Sequence, residues 1–105
     1  MATKNIMLVC AAGMSTSILV TKMQEIAEQR SLDVHIFAVS GTEAEDKLKD
    51  RPVDIMMLGP QVRYMKPKFE DLAEKNDIII EVIDMRDYGT MNGENVLNTA
   101  LKLTE

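Results

Sequence analysis

Ile6-Met7-Leu8-Val9-Cys10-Ala11-Ala12-Gly13-Met14-Ser15-Thr16-Ser17-Ile18-Leu19-Val20 holds the reading that decides the fold. Its opening aliphatic run has no polar interruption, the habit of a strand buried on both faces of a parallel sheet. A small, polar, glycine-containing loop follows. Beyond it Ile18, Leu19, Met23, Ile26 and Ala27 recur at helical spacing, while Lys22, Glu25, Glu28, Gln29 and Arg30 form a polar face. This predicts a helix over residues 15–30, and strand, short loop, helix is the first half of a βαβ unit.

Working outward, the same alternation repeats. Further apolar runs at 34–39, 55–58 and 78–83 read as strands, and three of the four runs are nearly continuous instead of alternating. Thr42 with Glu45 three residues on predicts a capping box for a short helix through Leu48, ended by Arg51-Pro52. Gly59-Pro60 stops the third strand, Lys66-Pro67 opens a helix to about Lys75, and Asn76-Asp77 closes it. A loop containing Gly89 and Asn92-Gly93 leads to a last helix over about 94–103. The order βαβαβαβα makes an α/β fold, a four-stranded parallel sheet in the order 2-1-3-4 with helices on both faces, flavodoxin-like. Ligands in such sheets bind beyond the carboxyl ends of the strands, where the chain order switches. That places the Cys10 loop, the loop at 59–64 and the region 84–89 at the expected site.

Length and composition bound the rest. At 105 residues, with 46% apolar and 28% charged side chains, the chain has the balance of one ordinary globular domain spanning 1–105. One cysteine and one histidine give neither an intramolecular disulfide nor a metal cluster, so no metal or cofactor is expected. A net charge of −5 with scattered lysines and arginines argues against a nucleic-acid partner. The first apolar run is too short for a signal-peptide core, and no segment approaches the length that spans a bilayer; a cytoplasmic location is the simplest expectation.

The chemistry sits in the first loop. Gly13 allows a close approach of the backbone, Ser15, Thr16 and Ser17 bring hydroxyls and a helix cap, and the helix that follows aims its unpaired amides back at Cys10. Such a loop holds an anion without side-chain charge, and the positive end of the dipole favours the nucleophilic thiolate. The alternative is a buried strand-end cysteine behaving as a small hydrophobe. No Gly-Lys-Ser/Thr follows, so the loop is not a Walker loop. The Gly-x-Gly-x-x-Gly fingerprint is also absent.

Three separated motifs resemble one family. Cys10-Ala11-Ala12-Gly13-Met14-Ser15-Thr16-Ser17, then Leu58-Gly59-Pro60-Gln61 with Tyr64-Met65, then Val82-Ile83-Asp84 with Tyr88-Gly89 are similar to the IIB components of the bacterial sugar phosphotransferase system, lactose/cellobiose/chitobiose class. The resemblance implies a cytoplasmic phosphocarrier and transferase. Cys10 would be the catalytic nucleophile, receiving a phosphoryl group from a phosphohistidine on a IIA partner. It would pass the group to a β-linked disaccharide bound in the membrane-embedded IIC permease, this chain not itself spanning the membrane. The backbone of Ala11, Ala12, Gly13, Met14, Ser15, Thr16 and Ser17 would cradle the phosphate. Choice of sugar would belong to IIC. A second resemblance, to low-molecular-weight protein tyrosine phosphatases, shares the strand, cysteine loop and helix, but those enzymes need an arginine six residues after the cysteine. Thr16 stands there. A hydrolase of that kind, and a non-enzymatic anion-binding module, are the rival readings.

Other residues have plainer roles. His35 reads as a strand side chain and Asp84 as a strand-end turn residue. Gln61 and Tyr64 are candidates for partner or site contacts. Arg63 and Lys66 are surface cations available to an acidic partner, and Met14 projects from the loop as a candidate docking contact. Met7, Met23, Met56 and Met57 fall at core positions.

Overall fold

Hydrogen bonding in a computed structural model joins four strands, β1 (Lys4–Cys10), β2 (Val34–Ser40), β3 (Ile55–Leu58) and β4 (Ile79–Val82), into one parallel sheet of order β2-β1-β3-β4. The structure describes residues 3–10 and 14–104, with Met14 and Ser15 described by backbone alone. The helices are α1 (Met14–Gln29), α2 (Ala44–Asp50), α3 (Lys66–Lys75), α4 (Met85–Gly89) and α5 (Gly93–Leu103), with a 3₁₀ segment at Pro60–Met65.

The sheet works as the period-2 pattern requires. Along β1, Ile6 and Leu8 face one apolar core and Met7 and Val9 the other, so the central strand is buried on both sides. The first core takes Leu19, Val20, Met23 and Ala27 of α1 with Val96, Leu97 and Ala100 of α5. The second takes Ala44 of α2, Val62 of the 3₁₀ segment, and Phe69 and Ala73 of α3. All four methionines read as core residues are buried. Helix α1 is further tied to the sheet where the Gln24 amide donates to the Ile36 carbonyl at 2.9 Å.

Three local features depart from the expected pattern. The capping box of Thr42 and Glu45 does not form: Glu43 occupies the N-cap of α2 with helical dihedrals and makes no side-chain cap bond. The side chains of Thr42 and Glu43 are instead drawn to Ser40, whose hydroxyl lies 3.0 Å from Thr42 Oγ1 and donates to Glu43 Oε1 at 2.8 Å. That local alternative outcompetes the box. The stretch after Gly59 is not an open loop, because Pro60 at the first position starts a 3₁₀ turn. The region after the fourth strand contains α4, capped by Asp84, whose carboxylate accepts from the amides of Arg86 and Asp87 at 2.8 and 3.2 Å. Asp84 is the strand-end turn residue its sequence setting suggested. The structure also has β4 shorter than expected, and the third helix matches 66–75.

Candidate functional site

Cys10 is the last residue of β1, paired in register with Ser40 of β2. Because β1 has β2 on one side and β3 on the other, the chain leaves it in opposite directions on successive crossovers, and a crevice opens at its carboxyl end. The backbone at this edge is tied to both neighbouring strand ends: the Gly41 amide donates to the Cys10 carbonyl at 3.1 Å and the Gly59 amide to the Val9 carbonyl at 2.8 Å. Cys10 therefore sits in a fixed frame. Its side chain is 2% exposed, with Sγ 3.7 Å from the Val39 carbonyl.

The sulfur borders a cleft of about 160 Å³. Ser40, Gly41 and Thr42 form one wall beside Cys10, and Val62, Tyr64 and Met65 form the other. Gly41 permits the close approach of those walls, since a Cβ there would lie 2.8 Å from Met65 Cε. Tyr64, 74% exposed, stands at the rim. The proton order on the first wall follows from valence. The single hydroxyl proton of Ser40 goes to Glu43, so Thr42 must donate in its contact with Ser40. The hydroxyl of Ser40, and then its amide, hold the Glu43 carboxyl below its ordinary range, with Lys47 adding to the effect against a small opposing cost of burial.

Of the residues that the resemblance assigns to a phosphate cradle, Ala11, Ala12 and Gly13 lie outside the described residues, as do the side chains of Met14 and Ser15. Helix α1 begins at Met14, four residues after Cys10, so its first turn follows closely on the cysteine in sequence. Ser17 is exposed. Thr16 is 1% exposed, and its hydroxyl lies 3.1 Å from the phenol oxygen of Tyr88 in α4. In the sequence Tyr88 stands out only as part of Tyr88-Gly89. Seventy-two residues separate the pair. No local spacing signals such a contact.

Gln61 folds back so that its Oε1 comes within 2.9 Å of where a Cβ on Gly59 would be, near the Tyr88 ring. Beside it a second, more open hollow of about 330 Å³ is bounded by Pro60, Arg63, Met85, Tyr88 and Gly89. Gln61 and Tyr64 thus flank opposite sides of the 3₁₀ segment. Met85 is 65% exposed, so large apolar side chains face outward at this edge. His35 lies near the amino end of β2, away from Cys10. Burial, and secondarily the Arg51 charge, hold its imidazole below its ordinary value, and its ring sits 5.3 Å from that of Phe37. Among the described residues, no three His, Cys, Asp or Glu side chains converge as a metal-ligand set, and no helix is long and apolar enough to cross a membrane.

The family described as "PTS system, Lactose/Cellobiose specific IIB subunit" matches residues 5–99. The chain belongs to this family. Relatives of this IIB chain include the galactose-specific EIIB component of the phosphotransferase system of Lactococcus lactis subsp. cremoris (strain MG1363), 45% identical over 98% of both chains. The cellobiose-specific EIIB component of Lactococcus lactis subsp. lactis (strain IL1403) is equally similar. The oligo-beta-mannoside-specific component of Bacillus subtilis (strain 168) is 39% identical over 95% of both. Among solved structures, the cellobiose-specific IIB protein of Borrelia burgdorferi superposes with a TM-score of 0.76 at 40% identity, covering 96% of this chain and 91% of that one. The lactose-specific IIB domain of Streptococcus pneumoniae shares the fold at a TM-score of 0.82 and 19% identity, over 96% and 97% of the two chains.

Proposed function

We propose that this IIB chain is a phosphocarrier in which Cys10 holds the phosphoryl group between a phosphorylated IIA protein and a sugar bound in the IIC permease. The supporting observation is the position of Cys10: the end of a central strand, bordering a cleft, with α1 beginning four residues later in the chain. In the first transfer the Cys10 sulfur attacks phosphorus, the S–P bond forms, the N–P bond of the donor phosphohistidine breaks, and the imidazole leaves. In the second a sugar hydroxyl attacks, the O–P bond forms, the S–P bond breaks and the thiolate is regained. The hydroxyl proton leaves to a base outside this chain. The backbone amides from Ala11 to Ser17 would hold the phosphoryl oxygens on the phosphocysteine and in both transfer transition states.

Thr16 at the sixth position after the cysteine favours a carrier over a hydrolase. At the sequence position where such a phosphatase carries its bidentate arginine, this chain has a buried neutral hydroxyl bonded to Tyr88. The phosphocysteine is then bound without the charge that would speed its attack by water. The sugar belongs to the β-linked, lactose and cellobiose group, and the chain works in the cytoplasm at the inner face of IIC. Incubation with phosphorylated IIA should yield one phosphoryl group per chain, released to sugar only when IIC is added, with no steady turnover of an aryl phosphate. Sustained aryl phosphate hydrolysis would return the phosphatase reading.

A further inference from the structure

The Thr16 side chain is a buried polar group close in sequence to the candidate loop, and neither transfer step uses its hydroxyl. It lies in the first turn of α1. Its hydroxyl reaches out of that turn to Tyr88, a residue of α4 whose ring is 8% exposed and walls the hollow beside Gln61. α4 is held independently, by the Asp84 cap at its start and by the Asn92 amide bonded to the Asp87 carbonyl at 2.8 Å. The Thr16 to Tyr88 hydrogen bond thus connects the start of α1 to α4, whose Tyr88 shares the apolar core of Leu19 and Met23.

Resting on the carrier reading above, we propose that Thr16 is a positioning residue: through Tyr88 it fixes the direction of the first-turn amides that receive the phosphoryl group on Cys10. Amides serve a transferring phosphoryl group only when aimed where its charge develops, so a small rotation of this turn weakens every amide contact together. The hydroxyl bond does by orientation what a cationic clamp does by charge. It anchors the turn without adding a positive group to the loop.

The test compares Thr16→Val, which keeps shape and loses the hydroxyl, with Thr16→Ser, which keeps the hydroxyl, and with Tyr88→Phe, each assayed for transfer from phosphorylated IIA to Cys10. The saturated rate should fall about fivefold in Thr16→Val, the scale of one neutral hydrogen bond. The IIA concentration at half-saturation should be little changed. Thr16→Ser should restore the rate, and Thr16→Val combined with Tyr88→Phe should add little to Tyr88→Phe alone. A Thr16→Val chain that transfers as fast as wild type at saturation overturns the proposal, as does Thr16→Ser being as slow as Thr16→Val. Should Thr16→Val fail to fold, an unchanged saturated rate in Tyr88→Phe overturns it equally. Absence of label on the wild-type chain contradicts the carrier reading itself, and this proposal with it.

Discussion

Cys10 was legible as a candidate nucleophile because one strand and one loop, contiguous in sequence, define its surroundings. The partners of its neighbours were less legible. Thr16 finds Tyr88 across 72 residues, and Thr42 abandons the capping box its spacing allows because Ser40 lies within reach. His35 yields a prediction at this scale. Burial and Arg51 disfavour its charged form, so the native chain binds that proton less readily than the unfolded chain does. Stability is therefore intact above the ordinary imidazole value of 6.5 and declines as pH falls below it. His35→Gln should flatten the drop in urea midpoint between about pH 7 and pH 5. Glu43, also held low, loses its contribution only further down, as pH falls through the carboxylate range.

Among the elements, the four strands and the long helices were readable from apolar runs and helical spacing, because tertiary packing and local pattern agree there. The 3₁₀ segment at Pro60–Met65 and the five-residue α4 were not, since each is too short to show a period and contains a residue usually read as a breaker. The Asp84 cap was the available signal for α4. Two glycines make an element-scale contrast. A Cβ on Gly93 would meet Lys22 Cβ at 3.0 Å and the Met23 amide nitrogen at 3.1 Å, groups fixed in α1. On Gly41 it would meet the mobile tip of Met65. Gly93→Ala should therefore cost about 1–3 kcal/mol by forcing α1 and α5 apart, and Gly41→Ala less than about 1 kcal/mol. Chemical denaturation of both variants checks the order.

For the whole molecule, the sheet order and the layering of helices on both faces followed from alternation of elements, whereas the positions of the cleft and hollow depend on side chains that meet only after folding. The two cores share β1, which feeds Ile6 and Leu8 to one and Met7 and Val9 to the other. They should melt together. Leu19→Ala in the first core and Phe69→Ala in the second should each lower stability by about 3 kcal/mol or more while leaving a single transition by circular dichroism. The proposed carrier role has one signature above all, a phosphoryl group resting on one sulfur. The most direct measurement is labelling by phosphorylated IIA of wild type and of Cys10→Ser, with the bond examined by phosphorus NMR. The account predicts a thiophosphate resonance on wild type and no label on Cys10→Ser; a label that survives the substitution would contradict it.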